Sequence, residues 1–204
     1  KWVVDSSEER REFVLETYPD TQTTASISDA LDDADVDAIV VSTPAATHAE
    51  LVDKALDAGK HVFVEKPLAT TNDDVSRLVE KADQLGLVLM AGHTFLYNDA
   101  VKKLKSLVDD GDLGDLYYLN SRRVNLGQVR SDVNAWWNLA PHDVSIFLYL
   151  RDGQMPVSIQ AGGSDFVQPG IEDVVFATMT WADGVVGHIP VSWLDPLKAR
   201  EVTL

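Results

Sequence analysis

Residues 61–67, His-Val-Phe-Val-Glu-Lys-Pro, combine a short apolar run with an acid, a base and a proline. The apolar residues 62–64 are typical of a buried parallel strand, which places Glu65 and Lys66 at its carboxyl end, where open α/β sheets bind ligands. Pro67 favours an extended backbone at Lys66 and so gives the ammonium a defined direction. A lysine held there can transfer a proton, bind a phosphate or form a Schiff base. An ordinary surface Lys-Pro loop is the alternative interpretation of these residues.

The elements before Gly92 must position this lysine. Short apolar runs alternate with amphipathic segments, which indicates βα units and a parallel sheet. The predicted strands lie at 2–4, 23–25, 38–41, 62–64 and 87–91, and the predicted helices at about 6–18, 28–34, 47–58 and 73–84. Two of the strands end in polar residues, the first at Asp5 and the third at Ser42-Thr43-Pro44.

After Gly92 the pattern changes to one helix and then longer strands. We predict helices at 99–108 and 143–150, strands at 117–124, 157–162, 173–181, 185–193 and 200–204, and an irregular segment over 125–142. Asp183-Gly184 has the chemistry of a hairpin turn. Because these strands lack intervening helices, the predicted fold class is α/β plus α+β. A partial parallel-sheet domain is predicted over residues 1–93, and a partial domain on an open, mainly antiparallel sheet over 94–204.

The composition excludes several functions. The formal net charge is −16, from 33 acids and 17 bases, and no basic stripe is available to neutralise nucleic-acid phosphates. The acids are dispersed, which favours a surface adapted to high salt over an ordinary acidic protein. Without cysteines the chain has no disulfide, thiolate ligand or cysteine nucleophile. No apolar run is long enough for a membrane span, and we expect a cytoplasmic protein.

A dinucleotide fold normally begins with a strand and a Gly-rich turn, but the sequence contains no G-x-G-x-x-G. The strand that ends at Asp5 is instead similar to the second strand of such a fold, whose terminal acid binds the ribose hydroxyls. We therefore expect a fragment of a longer protein, lacking the first βα unit and binding dinucleotide poorly by itself.

Four motifs, in order, resemble the Gfo/Idh/MocA oxidoreductases over essentially the whole chain. They are Val41-Ser42-Thr43-Pro44 followed by His48, Gly59-Lys60-His61-Val62 leading to Glu65-Lys66-Pro67, Gly92-His93-Thr94-Phe95 through Tyr97-Asn98, and Trp137-Asn138-Leu139-Ala140-Pro141-His142-Asp143. The last is most similar to the sugar-nucleotide-type members. The resemblance implies a Rossmann-like first domain that binds NAD, with NADP possible, and a second domain, residues 94–204, for substrate binding or oligomerisation.

By that resemblance, Lys66 is the lysine at the reacting carbon and His142 is the catalytic acid/base, with both facing one cleft. The implied cofactor contacts are Asp5, Thr43, Pro44, His48, Glu65 and Lys66, and the candidate substrate contacts are Asn98, Arg123, Trp137 and Asn138. The chemistry agrees, because oxidising a secondary alcohol needs a base for the hydroxyl proton and a charge that stabilises the alkoxide.

Alternatives remain for several of these residues. His48 can cap or pack a helix, and Trp137 can pack in the core as well as stack on a sugar. Arg123 can recognise a phosphate or carboxylate of the substrate, or pair with a nearby acid. Asn138 stands where many family members have aspartate, and an amide can only hydrogen-bond. It leaves open whether the full proton relay operates.

The leading hypothesis is an NAD(P)-dependent dehydrogenase or reductase acting on a sugar, cyclitol or sugar nucleotide. A non-catalytic dinucleotide- or sugar-sensing regulator of the same fold is the alternative, and a Schiff-base lyase using Lys66 is a third. No metal site, nucleic acid or membrane is expected, whereas a homodimer or homotetramer is.

Overall fold

In the computed structural model, which describes residues 1–127 and 129–204, the chain divides into two units, Lys1–Gly92 and His93–Leu204. The first unit alternates strands with helices, as its sequence pattern predicts. Its strands are β1 (Trp2–Val4), β2 (Gln22–Thr24), β3 (Ala38–Val41), β4 (His61–Val64) and β5 (Leu89–Ala91). Its helices are α1 (Glu8–Thr17), α2 (Ile27–Leu31), α3 (His48–Asp57) and α4 (Asn72–Leu85), with a 3₁₀ turn at Ala45–Thr47.

The strands of the first unit form two parallel sheets. One is the pair β1-β2, and the other has the order β3-β4-β5. A groove of about 390 Å³, lined largely by apolar residues of β1, α2 and β3, separates them. Buried apolar side chains from α3 and α4 cover the second sheet, since each helix repeats such residues at three- and four-residue spacing. This core comprises Val41, Val52, Ala55, Leu56, Val62, Val64, Leu78 and Ala82.

The second unit is built on one mixed sheet with the order β10-β6-β9-β8-β7. Only the β6–β9 pair is parallel, so the mainly antiparallel sheet, and with it the predicted fold class, is confirmed. The elements are a 3₁₀ turn at Thr94–Tyr97, α5 (Asp99–Asp109), β6 (Tyr118–Leu126), α6 (Ala135–Leu150), β7 (Ser158–Ser164), β8 (Val174–Thr180), β9 (Val186–Ser192) and β10 (Leu194–Thr203).

Helix α6 supplies much of the core of the second unit. Ile146 and Phe147 are buried against sheet residues such as Ile189 and Trp193. The predicted turn at Asp183-Gly184 is confirmed: Gly184 has a φ of +87° and its N–H donates to the carbonyl of Trp181 (3.0 Å) between β8 and β9. A positive φ of this kind is one that glycine adopts without steric cost.

The prediction of irregular structure over 125–142 was wrong at both ends, because β6 continues to Leu126 and a helix begins at Ala135, while residue 128 lies outside the described residues. Asn134 caps a helix whose first residue is Ala135, and its Oδ1 accepts a hydrogen bond from the N–H of Trp137 (3.0 Å). Pro141 lies inside that helix, where its ring removes one N–H donor without ending the helix. The first two turns of α6 therefore carry Trp137, Asn138 and His142.

The last strand was also predicted too short, at 200–204 instead of Leu194–Thr203. Its early residues include Pro196, and the register against β6 shifts between Leu194 and Ala199. A proline is tolerated in an edge strand, because one side of that strand has no ladder to maintain. Among the residues that the structure describes, no helix is long and apolar enough to cross a membrane.

Candidate active site

The carboxyl ends of three parallel strands carry most of the predicted cofactor contacts. Asp5 follows β1, Thr43 follows β3, and Glu65 follows β4. The backbone fixes two of these positions, because the Asp5 N–H donates to the carbonyl of Thr24 (3.0 Å) and the Glu65 N–H donates to that of Val41 (2.8 Å). The side chains therefore leave the sheet at the edge where parallel sheets bind ligands.

The Asp5 carboxylate is half-buried and already holds hydrogen-bond donors. Its Oδ1 accepts from the N–H of Ser7 (2.8 Å), and its Oδ2 lies 3.5 Å from Nη1 of Arg10. Arg11 donates to the Asp5 carbonyl (2.6 Å). The Ser7 N–H is the main cause, with Arg10 adding to it, of a pKa for this carboxyl below its usual value. Asp5 is therefore an anionic acceptor at neutral pH.

His48 is buried and bridges two loops. Its Nδ1 lies 2.7 Å from the carbonyl oxygen of Pro67, and its Nε2 lies 2.8 Å from that of Thr43. Carbonyl oxygens only accept hydrogen bonds, so a neutral ring donates to one of them. The ring thus joins the loop after β3 to the loop after β4 through their backbones.

The β3 loop also has an ordered hydroxyl pair. Thr47 Oγ1 donates to the Pro44 carbonyl (2.8 Å) and lies 2.7 Å from Thr43 Oγ1. Since the Thr47 proton is used on Pro44, Thr43 is the donor to Thr47, and its own oxygen keeps acceptor capacity. Thr43 and Pro44 are both exposed.

Glu65 and Lys66 are half-buried at the end of β4. Glu65 Oε2 accepts from the N–H of Lys66 (3.3 Å), and the peptide bond from Lys66 to Pro67 is cis. Gly92 packs so closely that a Cβ there would lie 3.4 Å from the Glu65 carboxyl carbon. The lysine is therefore preceded by a restrained acid and followed by a residue whose carbonyl contacts His48.

In the second unit, His142 lies in the second turn of α6, half-buried. Its ring contacts that of Phe95, with centroids 4.8 Å apart and planes tilted by 56°. Asn138, one turn earlier, accepts a hydrogen bond on Oδ1 from the indole N–H of Trp193 (3.2 Å). The amide at this position thus accepts a hydrogen bond from a core tryptophan that lies between β9 and β10.

Arg123 forms a buried, two-pronged ion pair with Asp143. Its Nε donates to Oδ2 (2.7 Å) and its Nη2 donates to Oδ1 (3.1 Å), and the residues are 5% and 1% exposed. Burial raises the pKa of the Asp143 carboxyl and outweighs Arg123, whose hydrogen bonds and charge act to lower it. Of the two alternatives for Arg123, the structure thus shows a pair with a nearby acid.

The other two predicted substrate contacts are exposed residues at helix starts. Asn98 caps α5, with its Oδ1 accepting from the N–H of Ala100 (2.9 Å). Trp137 in the first turn of α6 is 45% exposed and leaves an aromatic surface open to solvent.

Within each unit, the structure brings some of the predicted site residues together. His48 links Thr43 to the residue after Lys66 in the first unit, and a contact chain joins Arg123 to His142 in the second. Sequence reasoning gave no role to Phe95 or Asp143, although both stand in the family motifs. An acid directly after the histidine was the signal available for Asp143. Within the described ranges, no group of three or more acidic or histidine side chains could hold a metal ion.

Comparisons with known proteins agree with this architecture. A family model described as "Oxidoreductase family, NAD-binding Rossmann fold" matches residues 1–93, and one described as "GFO/IDH/MocA C-terminal domain" matches residues 101–204. The chain spans about half the length of the curated relatives it matches.

Three similar proteins illustrate the range of named activities and structures among the matches. The dTDP-3,4-didehydro-2,6-dideoxy-alpha-D-glucose 3-reductase of Streptomyces violaceoruber is 41% identical over 91 residues, 45% of this chain and 27% of the reductase. The scyllo-inositol 2-dehydrogenase (NADP(+)) IolW of Bacillus subtilis (strain 168) is 29% identical over 128 residues, 63% and 35% of the two chains. The crystal structure of GenD2 from gentamicin A biosynthesis, in complex with NAD, superposes with a TM-score of 0.91 at 25% identity and covers 99% of this chain and 60% of GenD2.

The family models and the structural neighbour cover both units, and the resemblance inferred from the four motifs is confirmed. The chain belongs to the GFO/IDH/MocA family of oxidoreductases, and its first unit is a Rossmann-like domain of the NAD-binding type.

Proposed function

We propose that the protein transfers hydride between a nicotinamide dinucleotide and a secondary alcohol of a sugar, cyclitol or sugar nucleotide. The observation that carries this proposal is the placement of Glu65 and Lys66 at the carboxyl end of β4, in a loop joined by His48 to the neighbouring β3 loop. That edge of a parallel sheet is where dinucleotides bind, and two strand-end loops are already held in fixed relation there.

The residues present fit a bound dinucleotide. The anionic Asp5 carboxylate ends a strand and offers acceptor oxygens for ribose hydroxyls, which are donors. Thr43 offers an exposed hydroxyl, with Pro44 beside it and Glu65 on the next strand end. We propose that these residues and Lys66 hold the cofactor, with His48 shaping the two loops from behind. When bound, the cofactor supplies the hydride acceptor or donor.

For the chain's own groups, the proposed chemistry is proton transfer and charge stabilisation. In the oxidation direction, a ring nitrogen of His142 takes the hydroxyl proton as the alkoxide character grows. The Lys66 ammonium stabilises the developing negative charge on that oxygen and orients the hydroxyl. In the reduction direction, His142 returns the proton. A neutral imidazole is suited to this because its charge changes near physiological pH.

The proposed substrate class is supported by the relatives and by exposed groups on the second unit. One relative is named as a 3-reductase of a dTDP-sugar and another as a 2-dehydrogenase of an inositol, so both names describe a reaction at a carbon of a sugar or cyclitol. We propose that Trp137 stacks on the ring of the substrate, and that Asn98 and Asn138 contribute polar contacts. An indole face suits the apolar face of a sugar ring.

We also propose a homodimer or homotetramer formed through the open face of the mixed sheet. Phe176 and Val186 remain exposed on neighbouring strands there, and exposed apolar sheet faces commonly mark interfaces. Light scattering on the full-length protein distinguishes these states from a monomer.

A ligand and turnover screen tests the proposed function. We expect NAD or NADP to raise the melting temperature of the full-length protein, and a sugar nucleotide or cyclitol to produce NADH or NADPH absorbance. If dinucleotide and sugar bind but neither oxidation nor reduction of the sugar is detected, the proposed enzymatic activity is contradicted. That result would support the non-catalytic regulator. A borohydride-trapped adduct at Lys66 would instead support Schiff-base chemistry.

A further inference from the structure

His142 sits where α6 lacks one of its own stabilising bonds. Pro141 has no N–H, so the carbonyl of Trp137 one turn earlier loses its usual helical donor. A helix turn weakened in this way depends on contacts from outside the helix to fix its side chains. The residue on the other side of His142 is Asp143, which makes such a contact.

The Arg123–Asp143 pair constrains the orientation of α6 more than it stabilises the fold. A buried ion pair must overcome the loss of hydration of both ions, and apolar pairs of similar size are often as stable. The forked contact, with two nitrogens on two oxygens, nevertheless permits only one relative orientation. It therefore fixes α6 against β6 at the residue next to His142.

A second contact runs from the same guanidinium to the histidine ring. The Arg123 Cζ lies 4.2 Å from the centroid of the Phe95 ring, close enough for a cation–π interaction. Phe95 in turn touches the His142 ring at 4.8 Å. Arg123 thus reaches His142 by two routes, one through the backbone of α6 and one through the Phe95 ring.

We propose that Arg123, Asp143 and Phe95 are positioning residues for His142: the buried ion pair fixes the helix turn, and Phe95, held by the guanidinium, sets the orientation of the imidazole. This assignment rests on the proposed function of His142 as the acid/base. In it, Arg123 acts through the histidine and not on the substrate. Two of its nitrogens are already bonded to Asp143, and the side chain is almost entirely buried.

The decisive variants alter Phe95, because they leave both buried charges in place. Phe95→Leu keeps apolar volume but removes the aromatic face, and Phe95→Tyr keeps the face. In full-length protein, we expect Phe95→Leu to lower kcat at least about tenfold, since small misplacement of a catalytic group is costly, with KM for NAD changed less than about twofold. Phe95→Tyr should restore kcat. A merely space-filling Phe95 would be replaced by leucine without loss.

The ion pair is tested by replacing both partners, Arg123→Met with Asp143→Leu, so that no buried charge is left alone. The matched control is Arg151→Met. Arg151 ends the same helix, pairs with Asp183 and lies 5.6 Å from the Trp181 ring centroid, but it is far along α6 from His142. We expect the double variant to lower kcat as Phe95→Leu does, and the control to leave it unchanged.

The readout that does not depend on turnover is the ¹H–¹⁵N spectrum of the histidine side chains, with His142 assigned from a His142→Gln variant. We expect the His142 ring resonances to shift in the double variant, in which the Phe95 ring and its ring current remain, but not in Arg151→Met. An unchanged kcat in folded Phe95→Leu, or unmoved His142 resonances in the folded double variant, would overturn the proposal, and the first result decides even if the double variant fails to fold. If the wild type showed no turnover, only the proposed function would fail, and the spectra would still decide the positioning.

Discussion

The loop that carries Lys66 in the first unit is held through main-chain carbonyls, whereas the helix that carries His142 in the second is held through a buried pair of charges. In the first, one imidazole contacts the carbonyl oxygens of Thr43 and Pro67. In the second, Arg123 and Asp143 are both buried and the guanidinium also faces Phe95. The lysine thus depends on backbone geometry and the histidine on side-chain electrostatics.

This difference predicts how each site fails. Loss of the imidazole removes the donor of one carbonyl and the ring that lies between the two loops, and a shift of the loops can expose that carbonyl to water. Loss of one member of the ion pair leaves a bare charge in the core, for which breaking a buried pair typically costs about 3–5 kcal/mol. In the first unit, the loops should therefore shift with little loss of folding free energy. In the second unit, the position of the helix and the folding free energy should both be affected.

The largest expected effect comes from Lys66 itself. Lys66→Ala should reduce kcat of the full-length enzyme at least ~10²-fold, because a positioned acid–base or charge-stabilising group contributes that much or more. Steady-state kinetics with a melting curve measures it. Lys54→Ala is the matched control, since Lys54 is an exposed lysine of the same unit paired with Glu50. Equal turnover in wild type and Lys66→Ala would remove the lysine from the mechanism.

His48→Leu tests the main-chain side of the comparison. The ring donates one hydrogen bond, which typically contributes about 0.5–1.5 kcal/mol, and it joins the two loops, so we expect a lower melting temperature and a raised KM for NAD. His61→Leu is the control in the same unit: the His61 ring is exposed and accepts one hydrogen bond from the N–H of Val88 (2.9 Å). A His48→Leu enzyme with the wild-type KM would show that the two loops keep their geometry without the ring.

The same contrast explains what the sequence could reveal. Strands β3 and β4 and helix α4 were predicted almost to the residue, because their apolar periodicity and caps are local signals. Gly86 at the end of α4, for example, has a φ of +65°, which is typical of a glycine that follows a helix. Helix α6 was predicted eight residues short, because a proline such as Pro141 normally disfavours a helix interior. The Asn134 cap and the packing of the segment keep it helical nevertheless.

The contacts that hold the two candidate catalytic side chains were not predictable from local pattern. The Arg123–Asp143 and Asn138–Trp193 bonds join residues 20 and 55 positions apart, and only the fold brings them together. His48 was predicted as a cofactor contact, and no periodicity in α3 indicates that both its ring nitrogens face backbone carbonyls. The motifs predict which residues act, and the structure shows what each of them touches.

A smaller effect is expected at Asp5, where the comparison is between two cofactors. We predict a preference for NAD over NADP, because the anionic carboxylate accepts ribose hydroxyls and repels a 2′-phosphate. A hydrogen bond to a charged group contributes about 1.5–3 kcal/mol, so Asp5→Ser should lower kcat/KM for NAD roughly ten- to a hundredfold. It should affect NADP less. Arg10→Ala serves as the companion variant, since Arg10 lies on the same carboxylate and is the group available to a 2′-phosphate. A wild-type preference for NADP would mean that the arginine, and not the acid, sets the specificity.

The smallest effect should come from a partly exposed ion pair, in contrast to the buried pair of Asp143. Asp53 on α3 lies 2.6 Å from Lys81 and 2.9 Å from Arg77 on α4, and the hydrogen bond from Lys81 is the main cause of its lowered pKa. Because the folded pKa is depressed, the unfolded state binds more protons below about pH 4, so the stabilisation is present at neutral pH and is lost as the pH falls through the folded pKa.

Asp53→Asn should therefore lower the free energy of unfolding by up to about 1 kcal/mol at pH 7, as for partly exposed pairs, and by progressively less as the pH falls below 4. Midpoints of urea unfolding at pH 7 and at pH 2 measure this effect. Asp57→Asn, which removes a more exposed partner of Lys81, should change the midpoints less. A deficit in Asp53→Asn that persisted undiminished at pH 2 would show that Asp53 stabilises the helix pair by packing and not by its charge.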